Sequence, residues 1–120
     1  MDYEFEINYL GRPMAKFSMG HEAFGRWFTE DLSNDVALVD KILLSIGEVE
    51  NRTIVRKNFA GSAFDLTLDL EQASVRALSL DYDSEEDLGD NLALFDQELM
   101  ADCGLTDFKE TLVSWREFIA

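Results

Sequence analysis

Residues 77–108 constrain the fold of this chain most strongly, because these 32 positions hold ten carboxylates and neither Lys nor Arg. The stretch separates a body with a mostly β-strand apolar pattern from a last segment patterned as a single helix. It also supplies ten of the 15 excess negative charges. Like charges at this density repel one another, so much of the stretch is expected to remain solvated.

The first part of the acidic stretch, residues 81–90, contains few apolar side chains. This composition is typical of a solvated surface segment and predicts an exposed acidic loop. Such a loop can attract a basic partner by charge. Its candidate partner-binding residues are Asp83, Glu85, Glu86 and Asp87.

The second part, residues 92–104, places apolar anchors such as Phe95 and Leu99 between acids, which predicts a short helical or extended piece packed against the body. Cys103 and Gly104 are typical of a helix end, with Gly supplying a positive φ. Packing would hold the carboxylates of this part in fixed positions, so we expect a docking surface here before the loop. The candidate partner-binding residues are Asp96, Glu98 and Asp102.

Length and composition predict one globular domain over residues 1–120. The single cysteine cannot form an internal disulfide, and the acidic first residues are unlike a signal peptide. No apolar run approaches the roughly 20 residues that span a membrane. We therefore expect a soluble cytoplasmic protein without a cofactor.

A formal net charge of −15 restricts the kinds of partner. Nucleic acid is bound through Lys and Arg that displace counterions from phosphates, and anionic membranes attract basic surfaces. Neither is therefore expected to be a direct ligand. The charge favours a basic protein surface, including that of a nucleic-acid-binding protein.

The N-terminal residues predict a β-hairpin. Residues 2–9 alternate strictly between apolar and polar side chains, as a half-buried strand does. Residues 10–13 have turn chemistry, and a period of two resumes over residues 14–19. The apolar face of the first strand would consist of Tyr3, Phe5, Ile7 and Tyr9.

Two helices are predicted next. Residues 23–28 suit a short helix that is broken or loosened near Gly25. A longer helix would be capped by Ser33 or Asn34 and would end near Glu48, with Gly47 as a stop signal. Its apolar stripe would be Leu32, Val36, Val39, Leu43 and Ile46.

Three strands and a last helix complete the prediction. The strands are expected at residues 53–60, 64–70 and 75–80, the last with a bulge near Ala77, and their short connections make them an antiparallel meander. Thr106 would cap the last helix. Its stripe is Phe108, Leu112, Trp115 and Ile119. The predicted class is α+β: a hairpin, one short and one long helix, a three-stranded meander, an acidic connection and a covering helix.

Several runs distributed over the whole length resemble the YacL family of small bacterial proteins of unknown function. The most specific of them is residues 18–22, Ser-Met-Gly-His-Glu. The others lie at residues 1–5, 25–28, 102–108 and 115–119. One departure is residues 96–98, Asp-Gln-Glu, where the family has a more acidic run. The resemblance implies a bacterial cytoplasmic setting and no particular activity.

His21 and Glu22 are the candidates for chemistry. A neighbouring Glu could raise the pKa of the imidazole and make it a general acid or base near neutral pH. Adjacent helical residues, however, point about 100° apart, so the two side chains need not touch. The simpler interpretation is a polar residue in the first turn of a helix, and the sequence favours a binding protein over an enzyme.

A calcium loop is also considered, because Asp81, Asp83 and Glu85 begin like an EF-hand. The sixth position is Glu86 instead of Gly and the twelfth is Leu92 instead of Glu, so that motif is excluded. A looser divalent-cation site stays open. Two hypotheses therefore remain: an acidic binding or regulatory module for a basic partner, and a small enzyme or ligand-binding protein that uses His21 and Glu22 near an aromatic cluster.

Overall fold

The computed structural model describes residues 2–18, 20–78 and 99–120 of this α+β protein. The strands are β1 (Tyr3–Ile7), β2 (Pro13–Phe17), β3 (Arg56–Ala60), β4 (Phe64–Asp69), β5 (Gln72–Ala77) and β6 (Met100–Gly104). The helices are α1 (Glu22–Arg26), which continues as a π-helical segment (Trp27–Leu32), α2 (Val36–Glu50) and α3 (Leu105–Ile119). None of the described helices is long and apolar enough to cross a membrane.

The predicted N-terminal hairpin is confirmed. β1 and β2 pair antiparallel, with Tyr3 opposite Phe17. The Asn8 side-chain oxygen accepts hydrogen bonds from the Leu10 and Arg12 backbone N–H groups at 2.8 and 3.0 Å. Gly11 completes the turn at φ +79°, a conformation that glycine adopts without a Cβ penalty.

The expected apolar face of β1 is only partly buried. Phe5 packs against the core, but Tyr3 and Ile7 are exposed, and Tyr9 at the hairpin tip is 95% exposed. The hairpin is a two-stranded sheet of its own, so only the part that lies over the helices gains a covering layer. The prediction of a half-buried strand therefore holds at its centre and is wrong toward its tip.

Gly25 does not break the first helix. A Cβ at this position would lie 2.9 Å from the Ala15 carbonyl oxygen, so the missing side chain lets α1 approach β2 closely. After Arg26 the helix widens into π-helical turns, and the Ser33 N–H donates to the Phe28 carbonyl five residues earlier at 2.7 Å.

A tight turn connects the π-helical segment to α2. The Asp35 N–H donates to the Leu32 carbonyl at 3.1 Å, and Ser33 has φ +47° and ψ −130°, which is the first central position of a type II′ turn. Asp35 then caps α2 by accepting from the Leu38 N–H at 3.0 Å. The prediction of Ser33 or Asn34 as the cap is therefore wrong by one or two residues.

α2 passes through Gly47 and continues to Glu50, so the predicted stop is also wrong. The helix ends in a Schellman motif, in which the Thr53 N–H donates to the Glu48 carbonyl and the Arg52 N–H to the Val49 carbonyl. Arg52 occupies the left-handed position at φ +62°. The buried residues of α2 are Val39, Ile42, Ser45, Ile46 and Val49, which shifts the predicted stripe toward the C-terminus.

The second sheet has four strands in the order β3-β4-β5-β6, all antiparallel, instead of the predicted three. β6 replaces the predicted helix end: Gly104 has φ −60° and precedes α3 as its N-cap residue. β5 begins three residues earlier than predicted and ends at Ala77, where the bulge was expected. Residues 79 and 80 lie outside the described part.

The core lies between this sheet and the helices. From the sheet, Phe64, Leu66, Leu68, Ala73, Val75 and Ala77 are buried. On the helical side Phe28 lies at the centre of an aromatic cluster, with ring centroids 5.0–6.3 Å from its neighbours. Those neighbours are Phe5, Phe17, Trp27, Phe108 and Trp115.

α3 closes the core as predicted, although it starts at Leu105 instead of after Thr106. Phe108, Leu112 and Trp115 are fully buried, whereas Ile119 is half-buried. The Trp115 indole N–H donates to the Ser33 carbonyl at 2.9 Å. These contacts fix the first turn of α3, and with it the end of β6, against the rest of the molecule.

Candidate functional site

Two neighbouring strands of the sheet flank the acidic segment 79–98 in the chain. β5 leads into it, and β6 starts soon after it. The two strands pair antiparallel, with Arg76 opposite Met100 and Ser74 opposite Asp102. Both attachment points of the segment are therefore held side by side at one end of the outermost pair of strands.

Two described carboxylates flank these attachment points, and we call Asp102 and Asp107 the acidic corner. Asp102 lies on β6 and Asp107 in the first turn of α3, and both are exposed. Neither forms an ion pair with any residue that the structure describes. Asp107 is also favourably placed at the positive end of the α3 dipole.

The negative charges of the acidic corner act on Cys103, which is half-buried on β6. Burial first, and then the negative charges of Asp107 and Asp102, together raise the pKa of the Cys103 thiol to about 12. Cys103 lies in a strand, whereas the sequence predicts a position before a helix-ending glycine. Its thiolate form is suppressed, so the acidic corner is not a nucleophilic site.

Of the sequence-predicted partner-binding residues, the structure places Asp102 alone, on the exposed side of β6. The others lie outside the described residues. They are Asp83, Glu85, Glu86, Asp87, Asp96 and Glu98.

A cavity of about 620 Å³ with both polar and apolar lining lies beside the acidic corner. His21 and Gly20 form one wall, and side chains of β5 and β6 form the other. The size falls within the range of small-molecule pockets. The strand residues that line it are Gln72, Ser74, Val75, Arg76, Met100, Ala101 and Asp102.

The structure separates the chemical roles of His21 and Glu22. A Glu22 carboxylate oxygen accepts from the Gly20 backbone N–H at 2.8 Å, which ties the carboxylate to the turn before α1. His21 Nδ1 is buried and has no hydrogen-bond partner among the described residues. The two side chains form no hydrogen bond with each other, so the geometry lacks a carboxylate-oriented imidazole.

The aromatic residues near this pair belong mainly to the core. The His21 ring stacks on Phe24 with centroids 6.3 Å apart, but Phe24 and Trp27 are buried in the aromatic cluster and do not line the cavity. Within residues 2–18, 20–78 and 99–120, no group of three or more His, Cys, Asp or Glu side chains is arranged to hold a metal ion.

Sequence reasoning missed the strand residues of the cavity. Gln72, Ser74 and Arg76 occupy alternate positions of β5, opposite in phase to the buried Ala73 and Val75. The alternation was visible in the sequence once β5 is started at Gln72 instead of Val75. The sequence did not predict β6, which forms this wall of the cavity together with β5.

Comparison with known proteins identifies a family for this chain but no activity. A family model described as "Uncharacterised protein family (UPF0231)" matches residues 1–119. A UPF0231 protein of Shewanella amazonensis is 42% identical over 120 residues, which cover 99% of this chain and 97% of that protein. One from Proteus mirabilis is 37% identical over 119 residues, covering 99% and 95%. No solved structure matches the chain.

The chain belongs to the UPF0231 family, and the resemblance to the YacL family is thereby confirmed. Both of these relatives come from bacteria.

Proposed function

We propose that this protein is a cytoplasmic binding or regulatory module that docks a basic surface of another protein through the acidic end of the β5–β6 pair. The observation that carries the proposal is the attachment of the acidic segment 79–98. The strands that precede and follow it, β5 and β6, are adjacent and hydrogen-bonded, and beside them lie the exposed carboxylates Asp102 and Asp107, which form no ion pair with a described residue.

Asp102 and Asp107 are held by β6 and by the first turn of α3, which lowers the cost of binding through them. A charged surface that is already positioned loses less conformational entropy when a partner docks. Complementary charge then speeds association and selects among partners, and its effect is screened by salt. All ten Lys and Arg residues lie in the described part, whereas eight carboxylates lie within residues 79–98 without a basic residue among them.

The test is capture of proteins from a bacterial lysate at about 0.05 M and about 0.5 M salt, where the Debye length falls from roughly 14 to 4 Å. The expected result is a set of basic proteins that bind at low salt and are released at high salt. Failure to capture basic proteins, or capture that salt does not change, would contradict the proposal.

Two groups of variants locate the surface. One combines Asp96→Asn, Glu98→Gln and Asp102→Asn, and the other combines Asp83→Asn, Glu85→Gln, Glu86→Gln and Asp87→Asn. The first group is expected to reduce capture more strongly than the second. The matched control combines Asp2→Asn, Glu4→Gln and Glu117→Gln, which removes three exposed charges elsewhere. An equal loss in the control would mean that net charge, and not this surface, governs binding.

The second candidate function is binding of a small polar molecule in the cavity beside His21. It is favoured by the buried Nδ1 atom of His21, which has no partner among the described residues and which a ligand could satisfy. The test is a His21→Ala variant in a strain that lacks the protein. If the variant keeps its fold and restores the deletion phenotype fully, a role for His21 is ruled out.

A further inference from the structure

Three basic residues lie together at the opposite edge of the sheet, where the described residues offer them no ion pair. Arg52, Arg56 and Lys57 are all exposed, and none forms an ion pair with a described residue. We call these three residues the cationic edge. Ion pairs elsewhere in the described part join Lys16 to Glu6, Arg26 to Glu30, Lys109 to Glu50 and Arg116 to Asp40.

The carboxylate directly across the strand pair from Arg56 accepts hydrogen bonds from backbone N–H groups. Asp69 lies opposite Arg56 in the β3–β4 register. Its carboxylate oxygen Oδ1 instead accepts from the backbone N–H groups of Glu71 and Gln72, at 2.9 and 2.8 Å. Lys57 lies over the Phe59 ring at 5.7 Å, which orients the ammonium group without neutralising it.

The cationic edge borders an outer strand with an open side. β3 is the last strand of the sheet, and no described strand pairs with its outer edge. Four of its five residues are exposed. The backbone N–H and C=O groups of such an edge are available to an additional strand, and many proteins bind extended peptides in this way.

An apolar cavity of about 230 Å³ adjoins the same edge. Val55, immediately before β3, is 87% exposed, and Leu70 at the end of β4 is 45% exposed. Large exposed apolar side chains next to the residues of the cationic edge form a surface that is both apolar and positively charged. The residues that line the cavity are Val49, Arg52, Ile54, Val55 and Leu70.

The backbone conformation of Arg52 is a separate observation that points to the same surface. It holds the left-handed position of the Schellman motif at φ +62°, where glycine is favoured and another residue costs about 1 kcal/mol. In this conformation Arg52 lines the apolar cavity. Strained positions of this kind are found preferentially at binding sites.

We propose that the outer edge of β3 binds an acidic, extended peptide segment of a partner protein. The peptide adds a strand beside residues 56–60, its carboxylates pair with the cationic edge, and an apolar side chain enters the cavity beside Val55. Five residues of strand extend about 17 Å, which sets the length of the segment that the edge accommodates.

Charge excludes nucleic acid as the occupant. A duplex carries a negative charge about every 1.7 Å over its whole length, so it would also approach the many carboxylates of this protein. A short peptide stays near the three cations, and charges more than about 10 Å away are screened from it. This site lies at the opposite edge of the sheet from the acidic corner, so the two can be tested separately.

The test starts with a library of random twelve-residue peptides displayed on phage. Selection uses the complete wild-type protein and subtracts the peptides that bind the variant Arg56→Glu, Lys57→Glu. The expected products are peptides that combine Asp or Glu with apolar residues at alternate positions. If no peptide prefers the wild type, or if the selected peptides are basic, the proposal is wrong.

The affinity of the best selected peptide is then measured by fluorescence anisotropy. We expect a loss of about tenfold or more with Arg56→Glu, Lys57→Glu, equivalent to about 1.4 kcal/mol, and a smaller loss with Arg52→Gly. The matched control is Arg12→Glu, Lys41→Glu, which changes the charge equally at two exposed cations away from β3. Equal losses in the control would overturn the proposal.

Arg52→Gly separates a loss of binding from a loss of folding. Because glycine relieves the left-handed backbone, this variant is expected to melt at a higher temperature while it binds the peptide more weakly. Unchanged affinity in the stabilised variant would exclude a role for the guanidinium group. Sedimentation of the protein alone completes the test, because a concentration-dependent dimer that Arg56→Glu, Lys57→Glu abolishes would identify a second copy, and not a partner peptide, as the occupant.

Discussion

The two outer strands of the four-stranded sheet differ in charge, burial and position along the chain. β6 leads directly into α3, and its Ala101 is buried beneath the helical layer. β3 follows the end of α2, and four of its five residues are exposed. The comparison indicates that a sheet edge contributes a buried residue to the core where the chain turns back over it, and otherwise remains a surface available for binding.

The largest expected effect compares one aromatic residue near each edge. Phe108, in the first turns of α3 beside β6, is fully buried, and Phe108→Ala should lower the free energy of unfolding by about 3–5 kcal/mol. Phe59 on β3 is half-buried, and Phe59→Ala should cost about 1–2 kcal/mol. Urea denaturation measures both, and equal costs would contradict the difference between the edges.

The second prediction concerns Cys103 on β6. Its pKa of about 12, against 9.0 when unfolded, means that far less thiolate is present in the folded protein. At pH 8, alkylation by iodoacetamide should be at least about a hundredfold slower in the native protein than in urea. A native thiol that reacts at the unfolded rate would show that β6 opens readily and is not part of the core.

The same shift gives a pH dependence. The folded state keeps its thiol proton to higher pH than the unfolded state, so stability is unaffected well below pH 9.0 and falls as pH rises from about 9 toward 12. Cys103→Ala should remove this part of the slope in thermal melting. Identical slopes for the two proteins would contradict the assignment.

The third prediction tests how the β3–β4 turn is held. The Asp31 carboxylate accepts from the Ser62 hydroxyl at 2.7 Å and from the backbone N–H groups of Ser62, Ala63 and Phe64 at 3.2, 3.0 and 2.8 Å. Asp31→Ala should cost about 2–3 kcal/mol, because these donors lose a charged acceptor. Asp31→Asn keeps one oxygen and should cost less.

A control for the Asp31 contact is available in the same turn. A Cβ at Gly61 would lie 2.5 Å from Asp31 Oδ2, so Gly61→Ala should disturb the same contact. A Cβ at Gly61 would also lie 2.9 Å from the Phe64 carbonyl oxygen, so part of its cost does not depend on Asp31. If Gly61→Ala destabilises the wild type more than the Asp31→Ala variant, the two positions act through a shared contact. Additive effects would show that the turn is held by something else.

The smallest effect is a gain. Arg52→Gly should raise the free energy of unfolding by about 1 kcal/mol, since it removes a side chain from the left-handed position before β3. Arg12→Gly, in the exposed hairpin turn, is the control and should not stabilise. A loss of stability with Arg52→Gly would show that the arginine packs usefully at the β3 edge without any partner.

The regions with strict periodicity were predictable from sequence. The β1–β2 hairpin, β4 and α3 follow periods of two or of three to four, and burial of one face enforces each of these patterns. The antiparallel arrangement followed from short connections. The α+β class was correct for the same reasons.

The errors arise where tertiary contacts override local preference. β6 has the sequence Met-Ala-Asp-Cys-Gly, whose residues seldom favour strands, and it exists because β5 supplies its hydrogen bonds. Gly25 was misread because its packing against Ala15 cannot be seen in the chain order. The π-helical turns have a period that neither helix nor strand templates match.

For the candidate site, the sequence identified the acidic charge but not its attachment. Asp102 lies on the strand β6, which is the extended one of the two forms predicted for this part. The cavity beside His21 exists only because β6 lies next to β5 in one of its walls, so no local sequence pattern could reveal it. The mixed surface at Val55 and Arg52 depends on the end of α2, which was predicted too early.

The contact of Phe5 with Trp115 and Phe118, at centroid distances of 4.9 and 5.6 Å, has a consequence for synthesis on the ribosome. The first strand of the chain completes its packing on the last helix. At about 5–20 residues per second, the hairpin emerges several seconds before α3 does. During that interval its aromatic side chains are available to chaperones, so we expect depletion of a nascent-chain chaperone to lower the yield of this protein more than mutations in the hairpin tip do.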